Sequence, residues 1–186
     1  MKLKMIQMMT LLALVVSSAF AADVDLKNSS LTWRGSKVTG KHHGKVPLKS
    51  GSVEFKNGKI ASGNFVADLS AFTIEDLKGE WAGKFIKHMK SEDFFEVSKY
   101  PTAKLKIKSV KKNKAIADLT VKGKTNEVKF DIKETKGVYS GVLKFDRTKF
   151  DMIYGSKNFF KSIGDKAIDN EVKVEFSFKL IAKKDK

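Results

Sequence analysis

Apolar and polar residues alternate most cleanly near the end of the chain. Val172, Val174, Phe176, Phe178 and Leu180 are interleaved with Lys173, Glu175, Ser177 and Lys179. A period of two sends successive side chains to opposite faces, so this segment predicts a strand with one apolar and one solvated face. The same rhythm runs through "KLKIKSV", with Leu105 and Ile107 between lysines, and through "EVKFDIK", with Val128, Phe130 and Ile132. "SLTWRGSKV", "GSVEFKNG", "IASGNFVADL", "AIADLTVKG" and "GVYSGVLKFD" predict further strands. Asn57-Gly58, Lys112-Asn113, Thr125-Asn126 and Lys136-Gly137 supply turns between them. About eight short strands in sequential hairpins predict an all-β fold, an antiparallel barrel or a sandwich.

One stretch keeps a different period. In "LKGEWAGKFIKHM", Leu77, Trp81, Phe85 and Met89 recur every four residues, with His88 close to the same face. That spacing predicts an amphipathic helix, supported by Glu80 and Lys84 four apart and weakened by Gly79 and Gly83. Ser91 is expected to cap a second short helical turn whose Glu92 and Asp93 suit the helix dipole. Tyr100, ahead of Pro101, is pushed towards extended geometry, so a strand follows. Within this region "HMKSEDFFEVSKYP" sets Phe94 and Phe95 side by side, and one amphipathic stripe does not easily bury both.

The N-terminus has its own pattern. Lys2 and Lys4 precede an apolar run, "MIQMMTLLALVV", that ends in "SSAFAA". This is the plan of a secretory signal over residues 1–21, with Ala19-Phe20-Ala21 as the cleavage site. The run is short for a membrane span and is interrupted by Gln7 and Thr10. The expectation is a single domain over residues 22–186, periplasmic or secreted. No repeat or Pro/Gly/Ser-rich linker divides it.

Composition narrows the chemistry. The chain has no cysteine, which excludes disulfides, thiolate metal sites and a cysteine nucleophile. The net charge is +16, two charges of which belong to the expected signal. The lysines are spread along nearly every segment, which favours a solvated exterior over a dedicated polyanion site. His42 and His43 are adjacent and would face opposite sides of a strand, so they do not readily share an ion; a polar loop or strand end suits them. "GKT" at 123–125 lacks the upstream glycine of a phosphate loop, position 118 being Asp118, and reads as a hairpin turn. There is no G-x-S-x-G elbow, and Asp165 and Asp169 read as turn-capping carboxylates. No catalytic residue, metal site or cofactor is expected, and the protein is not expected to be an enzyme.

Aromatic content stands out, with 14 Phe, 2 Trp and 3 Tyr. Phe72, Trp81, Phe85, Phe94, Phe95, Phe150, Phe159 and Phe160 sit outside the clean alternation, and "NFFK" is a second adjacent pair. An eight-stranded barrel is just wide enough to be filled by side chains or to hold one small ligand. Aromatics at its mouth or lumen would suit an apolar guest.

Residues 83–107, "GKFIKHMKSEDFFEVSKYPTAKLKI", closely resemble the signature region of the YceI-like family of exported isoprenoid-binding proteins. "ADLTVKGKTNEVKFDI" at 117–132, "KFDRTKFDM" and "IGDKAIDNEVKVEFSF" resemble it too, and "KVTGKHHGKVPLKSGSVEF" resembles a variant of its N-terminal half. The resemblance covers about residues 23–182. It implies an extended, lipocalin-like antiparallel β-barrel with a helical segment and a long apolar channel. The implied guest is a polyisoprenoid or similar long-chain amphiphilic lipid, held non-covalently. By position and chemistry, Trp81, Phe85, Met89, Phe94 and Phe95 are candidate channel residues, followed by Phe145, Phe150, Phe159 and Phe160. His88 and Tyr154 are candidates for meeting a head group. One ring of the Phe94–Phe95 pair is expected in the core under the helix and the other at the channel. A basic polyanion-binding module at the cell envelope is the alternative function. Expected partners are the lipid and, transiently, an anionic membrane surface, with no nucleic acid; a homodimer is left open.

Overall fold

The computed structural model describes residues 19–162 and 164–181. All eight alternating segments form strands, and two short strands that the pattern does not mark join them. In chain order they are β1 (Ala19–Lys37), β2 (Gly40–Lys45), β3 (Leu48–Lys56), β4 (Lys59–Asp68) and β5 (Thr102–Lys111). They continue with β6 (Lys114–Val121), β7 (Lys124–Asp131), β8 (Lys133–Thr135), β9 (Val138–Asp146) and β10 (Glu171–Leu180). The single α-helix among the described residues, α1 (Gly79–Lys90), lies between β4 and β5. The sheet runs β7-β6-β5-β4-β3-β1-β10-β9-β8, with every pairing antiparallel, and β2 is attached to β1 off this path. It curls into a nearly closed barrel of nine strands, a lipocalin-like architecture.

Two details let the sheet curl. β1 is long enough to serve two neighbours: Ala19–Asp23 pair with β3, while Ser30–Arg34 pair with β10. Between them the register shifts, and the Asp25 carboxylate accepts from the Lys27 and Asn28 backbone N–H groups in place of ladder partners. Such a bulge bends a strand and raises its twist. At the far side β7 and β9 abut without a ladder. Gly141 sits at this seam, where a Cβ would stand 2.2 Å from the Asp131 carbonyl oxygen and 2.6 Å from the Phe176 ring. Only glycine allows the backbones this approach.

Asn57-Gly58, Lys122-Gly123 and Lys136-Gly137 have positive φ at both residues, as tight two-residue hairpins require. "GKT" thus belongs to a hairpin. The turn is Lys122-Gly123, however, not Thr125-Asn126, which lie inside β7 opposite Thr120 and Leu119. His42 and His43 are on strand β2, opposite Gly35 and Arg34.

The helix falls where the four-residue spacing put it, with Lys84 and Glu80 paired at 2.6 Å. Ser91 behaves differently from expectation. Its hydroxyl donates back to the His88 carbonyl at 2.7 Å, closing α1, and residues 92–99 are turns instead of a second helix.

The inward faces of the strands make two joined clusters. One holds Ile107, Ala117, Leu119, Val128, Phe130 and Phe150; the other packs Val24, Val53, Phe55, Ile60 and Phe178. The expected signal segment up to residue 18 lies outside the described residues. Ala19–Ala21, the expected cleavage site, continue β1.

Candidate functional site: an apolar cavity beneath a helical lid

The barrel is not solid. A cavity of about 650 Å³ lies among the inward faces of β1, β4, β5, β6, β7, β9 and β10. Packed interiors leave few voids larger than a water molecule, so a space of this size is no packing defect. It falls within the range of sites that bury small ligands. Leu31, Phe65, Leu105, Leu119, Phe130 and Phe176 are among its wall residues. Towards one end Phe65 and Phe176 also pack on the second cluster, where Phe178 lies 5.2 Å from Phe65 and stacks on Tyr139 at 5.2 Å.

The helix and the turns after it form a lid. Phe85, His88 and Met89 from α1 line the cavity, as do Phe72, Phe94 and Phe95. The lid is seated on Trp33, which is buried and stacks on Phe72 at 4.8 Å and on Phe85 at 5.9 Å. The indole N–H of Trp33 donates to the Thr73 carbonyl at 2.9 Å. β2 passes close to that carbonyl at Gly44, where a Cβ would stand 2.0 Å from the Thr73 oxygen. Asp76 fastens the same loop: its carboxylate accepts from the His43 backbone N–H at 3.0 Å and lies 2.8 Å from His42 Nδ1. Burial works to raise the Asp76 pKa, but these hydrogen bonds outweigh it and hold the carboxyl below its ordinary value.

The opposite side of the mouth is the segment 147–170 between β9 and β10. Tyr154 meets the edge of His88 at 4.7 Å and lies 5.7 Å from Phe94. His88 Nε2 is 3.0 Å from the Asp93 carboxylate. Arg147 is buried, with its guanidinium 5.9 Å over the Phe94 ring. It donates from Nε to the Asp169 carbonyl at 2.9 Å, from Nη2 to the Ile168 carbonyl at 3.0 Å, and from Nη1 to the Met152 carbonyl. Burial lowers the Arg147 pKa from its usual value, with Asp146 and Asp169 acting in the other direction.

Of the residues expected at the channel, Phe85, Met89, Phe94, Phe95 and Phe145 line the cavity, as do His88 and Tyr154. The other four stand elsewhere. Trp81 is 70% exposed, one turn beyond Phe85 on the helix, with Lys84 over its ring. Phe150 is buried behind the wall, edge-on to Phe145 at 5.5 Å. Phe159 and Phe160 point outward, 54% and 43% exposed, because the turn at Ser156 carries them away from the barrel. The Phe94–Phe95 pair does not divide between core and channel. Phe94 is buried and Phe95 half-buried against Phe72, and both rings face the cavity. Sequence reasoning did not single out Trp33 or Arg147 for the site, nor Phe65, Leu105, Phe130 and Phe176, which it read only as parts of strands.

Fold and cavity define a class: a lipocalin-like barrel built around an apolar space that opens at a lidded mouth. Residues 23–180 match the model of the YceI-like domain, and the chain belongs to that family. A UPF0312 protein of Staphylococcus aureus is 47% identical over 51 residues, which is 27% of this chain and 29% of the relative. The matched part is thus under a third of the length of the curated relatives. Among solved structures, Burkholderia cenocepacia BcnA superposes with a TM-score of 0.62 at 20% identity, covering 86% of this chain and 100% of that one. A polyisoprenoid binding domain from Saccharophagus degradans gives 0.60 at 15% identity, covering 86% and 97%. At these identities the likeness is one of fold.

Proposed function

We propose that this protein is a non-catalytic carrier of a polyisoprenoid or similar long-chain lipid, exported to the periplasm or beyond. The apolar cavity carries the proposal. Burying each CH₂ of a guest contributes about 0.8 kcal/mol, so a long tail offsets its binding entropy without a specific polar contact at each carbon. The description of the Saccharophagus degradans domain as polyisoprenoid-binding supports the choice of guest. Trp81, Phe159 and Phe160 are exposed on α1 and on the 147–170 segment, the two elements that frame the mouth, with Lys84, Lys157 and Lys161 beside them in sequence. Aromatic tips next to lysines suit a headgroup interface, and the proposal includes a transient approach to an anionic membrane.

Native mass spectrometry of protein purified from cells tests the reading. The expected result is a bound lipid, released by organic solvent and replaced by a fluorescent isoprenoid analogue. Empty protein that takes up no analogue would defeat it. Cell fractionation tests the location, with cytoplasmic recovery as the contrary outcome.

A further inference from the structure

Arg147 is one of only two arginines in a lysine-rich chain, and the other, Arg34, is paired on the surface with Glu175. Arg147 is 2% exposed, and each of its three nitrogens donates to a neutral main-chain carbonyl. The two acids nearest to it in charge are turned to other work. Asp146 Oδ1 accepts from the Thr148 backbone N–H at 2.9 Å and from the Thr148 hydroxyl at 2.7 Å. Asp169 Oδ2 accepts from the Ser36 hydroxyl at 2.6 Å. No ion pair joins Arg147 to a carboxylate among the described residues. A cation taken from water without a counter-charge is costly, and carbonyl dipoles offset only part of that. A guanidinium has five N–H donors, so two are not committed to the three carbonyls. Both Arg147 and Phe94, on which it rests, form part of the cavity wall. Of the charged wall residues, Lys37 and Lys166 are balanced by Asp165 and Asp169, which leaves buried Arg147 and, exposed on β5, Lys104 as the positive surplus.

We propose that Arg147 is the head-group anchor of the cavity: it receives the oxyanion of an acidic amphiphile, a carboxylate or phosphate, whose chain fills the apolar space. The inference rests on the carrier reading and narrows its guest. A guanidinium matches either oxyanion with a planar two-pronged donor set, which an alcohol or hydrocarbon end cannot use.

The test compares dodecanoate, dodecyl phosphate and dodecanol, titrated calorimetrically into the full chain freed of co-purified lipid. At neutral pH both anions, or the one with the preferred head, should bind at least tenfold more tightly than the alcohol. The ¹⁵N-detected side-chain resonance of Arg147 should shift with the anion and not with the alcohol. Dodecanol binding as tightly as both anions overturns the anchor and leaves the carrier reading standing. An anion preference without a shift at Arg147 also overturns it and assigns the preference to surface lysines. If none of the three binds and an isoprenoid analogue is refused too, both readings fall. In R147Q the preference should shrink to about twofold or less while dodecanol binding persists; an R147Q protein that keeps the full preference refutes the anchor. Should R147Q fail to fold, the resonance and the wild-type comparison decide.

Discussion

The rings of Trp33 and Phe85 lie 5.9 Å apart and within 8° of parallel, one on a barrel strand and the other on the helix above it. This stack is the contact through which α1 rests on the rim of β1. Phe85→Ala should lower stability by about 1 kcal/mol, the scale of an aromatic pair that is not fully buried. It should also weaken uptake of an isoprenoid analogue several-fold, because the same ring is part of the cavity wall. Fluorescence provides the measurement: with Trp81→Phe, the exposed indole is removed and Trp33 alone reports on the mouth. Unchanged Trp33 emission on loading would contradict this placement of the lid.

Filling the cavity should separate stability from binding. Leu119→Phe adds volume at a core residue that also borders the empty space. Thermal unfolding should show stability unchanged or raised, while analogue affinity falls at least tenfold. A loss of stability of about 2 kcal/mol or more would mean that the site is packed tightly after all.

Gly141→Ala should be among the most damaging single-methyl changes in the chain. The added carbon would meet main chain and an aromatic ring at once, so relief requires β7 and β9 to part. The expected cost is about 2–3 kcal/mol by chemical denaturation, in the upper range for overpacking. Gly137→Ala is no control for the clash alone, since its φ of 76° adds backbone strain. Gly40→Ala, which meets nothing within 4 Å, is the appropriate control.

The Asp76 clamp predicts a pH dependence with a definite sign. Its folded pKa lies below the ordinary carboxylate value of 3.8, so its stabilisation is complete above that value and fades as pH falls through the lower folded pKa. Asp76→Asn should therefore cost about 1–2 kcal/mol at neutral pH, the scale of a charge-assisted hydrogen bond. The gap between variant and wild type should close progressively below pH 3.8. Urea titrations across that range would show it. A gap that widens on acidification would reverse the assignment.

The strands were legible because period-two alternation and paired turn residues act locally. Val172 to Leu180 declares a strand whatever else the chain does, and Leu77 to Met89 declares a helix in the same way. β2 and β8 were not legible: Gly40–Lys45 has no apolar alternation and is a strand because β1 offers it an edge. The hollow was the hardest feature to read. Alternation shows that Leu105 or Phe176 faces inward, but an inward side chain looks the same in sequence whether it meets another side chain or open space. The aromatic surplus left a filled and a hollow barrel both open, and the resemblance to known barrels supplied the long channel and the class of its guest. Aromatics were a mixed guide. Phe85 and Phe94 reach the cavity because the lid folds back over the barrel, whereas Phe159 and Phe160 are turned outward by a loop whose path no local pattern records. Arg147 was invisible for the same reason: its carbonyl partners at residues 152, 168 and 169 come together only once that loop has formed.

β2 hangs from β1 outside the continuous ladder, yet Gly44, His43 and His42 on it hold the loop that leads into α1. The door is therefore latched at two places, to an appendage through β2 and to the drum through Trp33. The ribbon latch lies outside the main cylinder, whose ladder of hydrogen bonds does not depend on it. The two fastenings thus differ in what their release would cost the container.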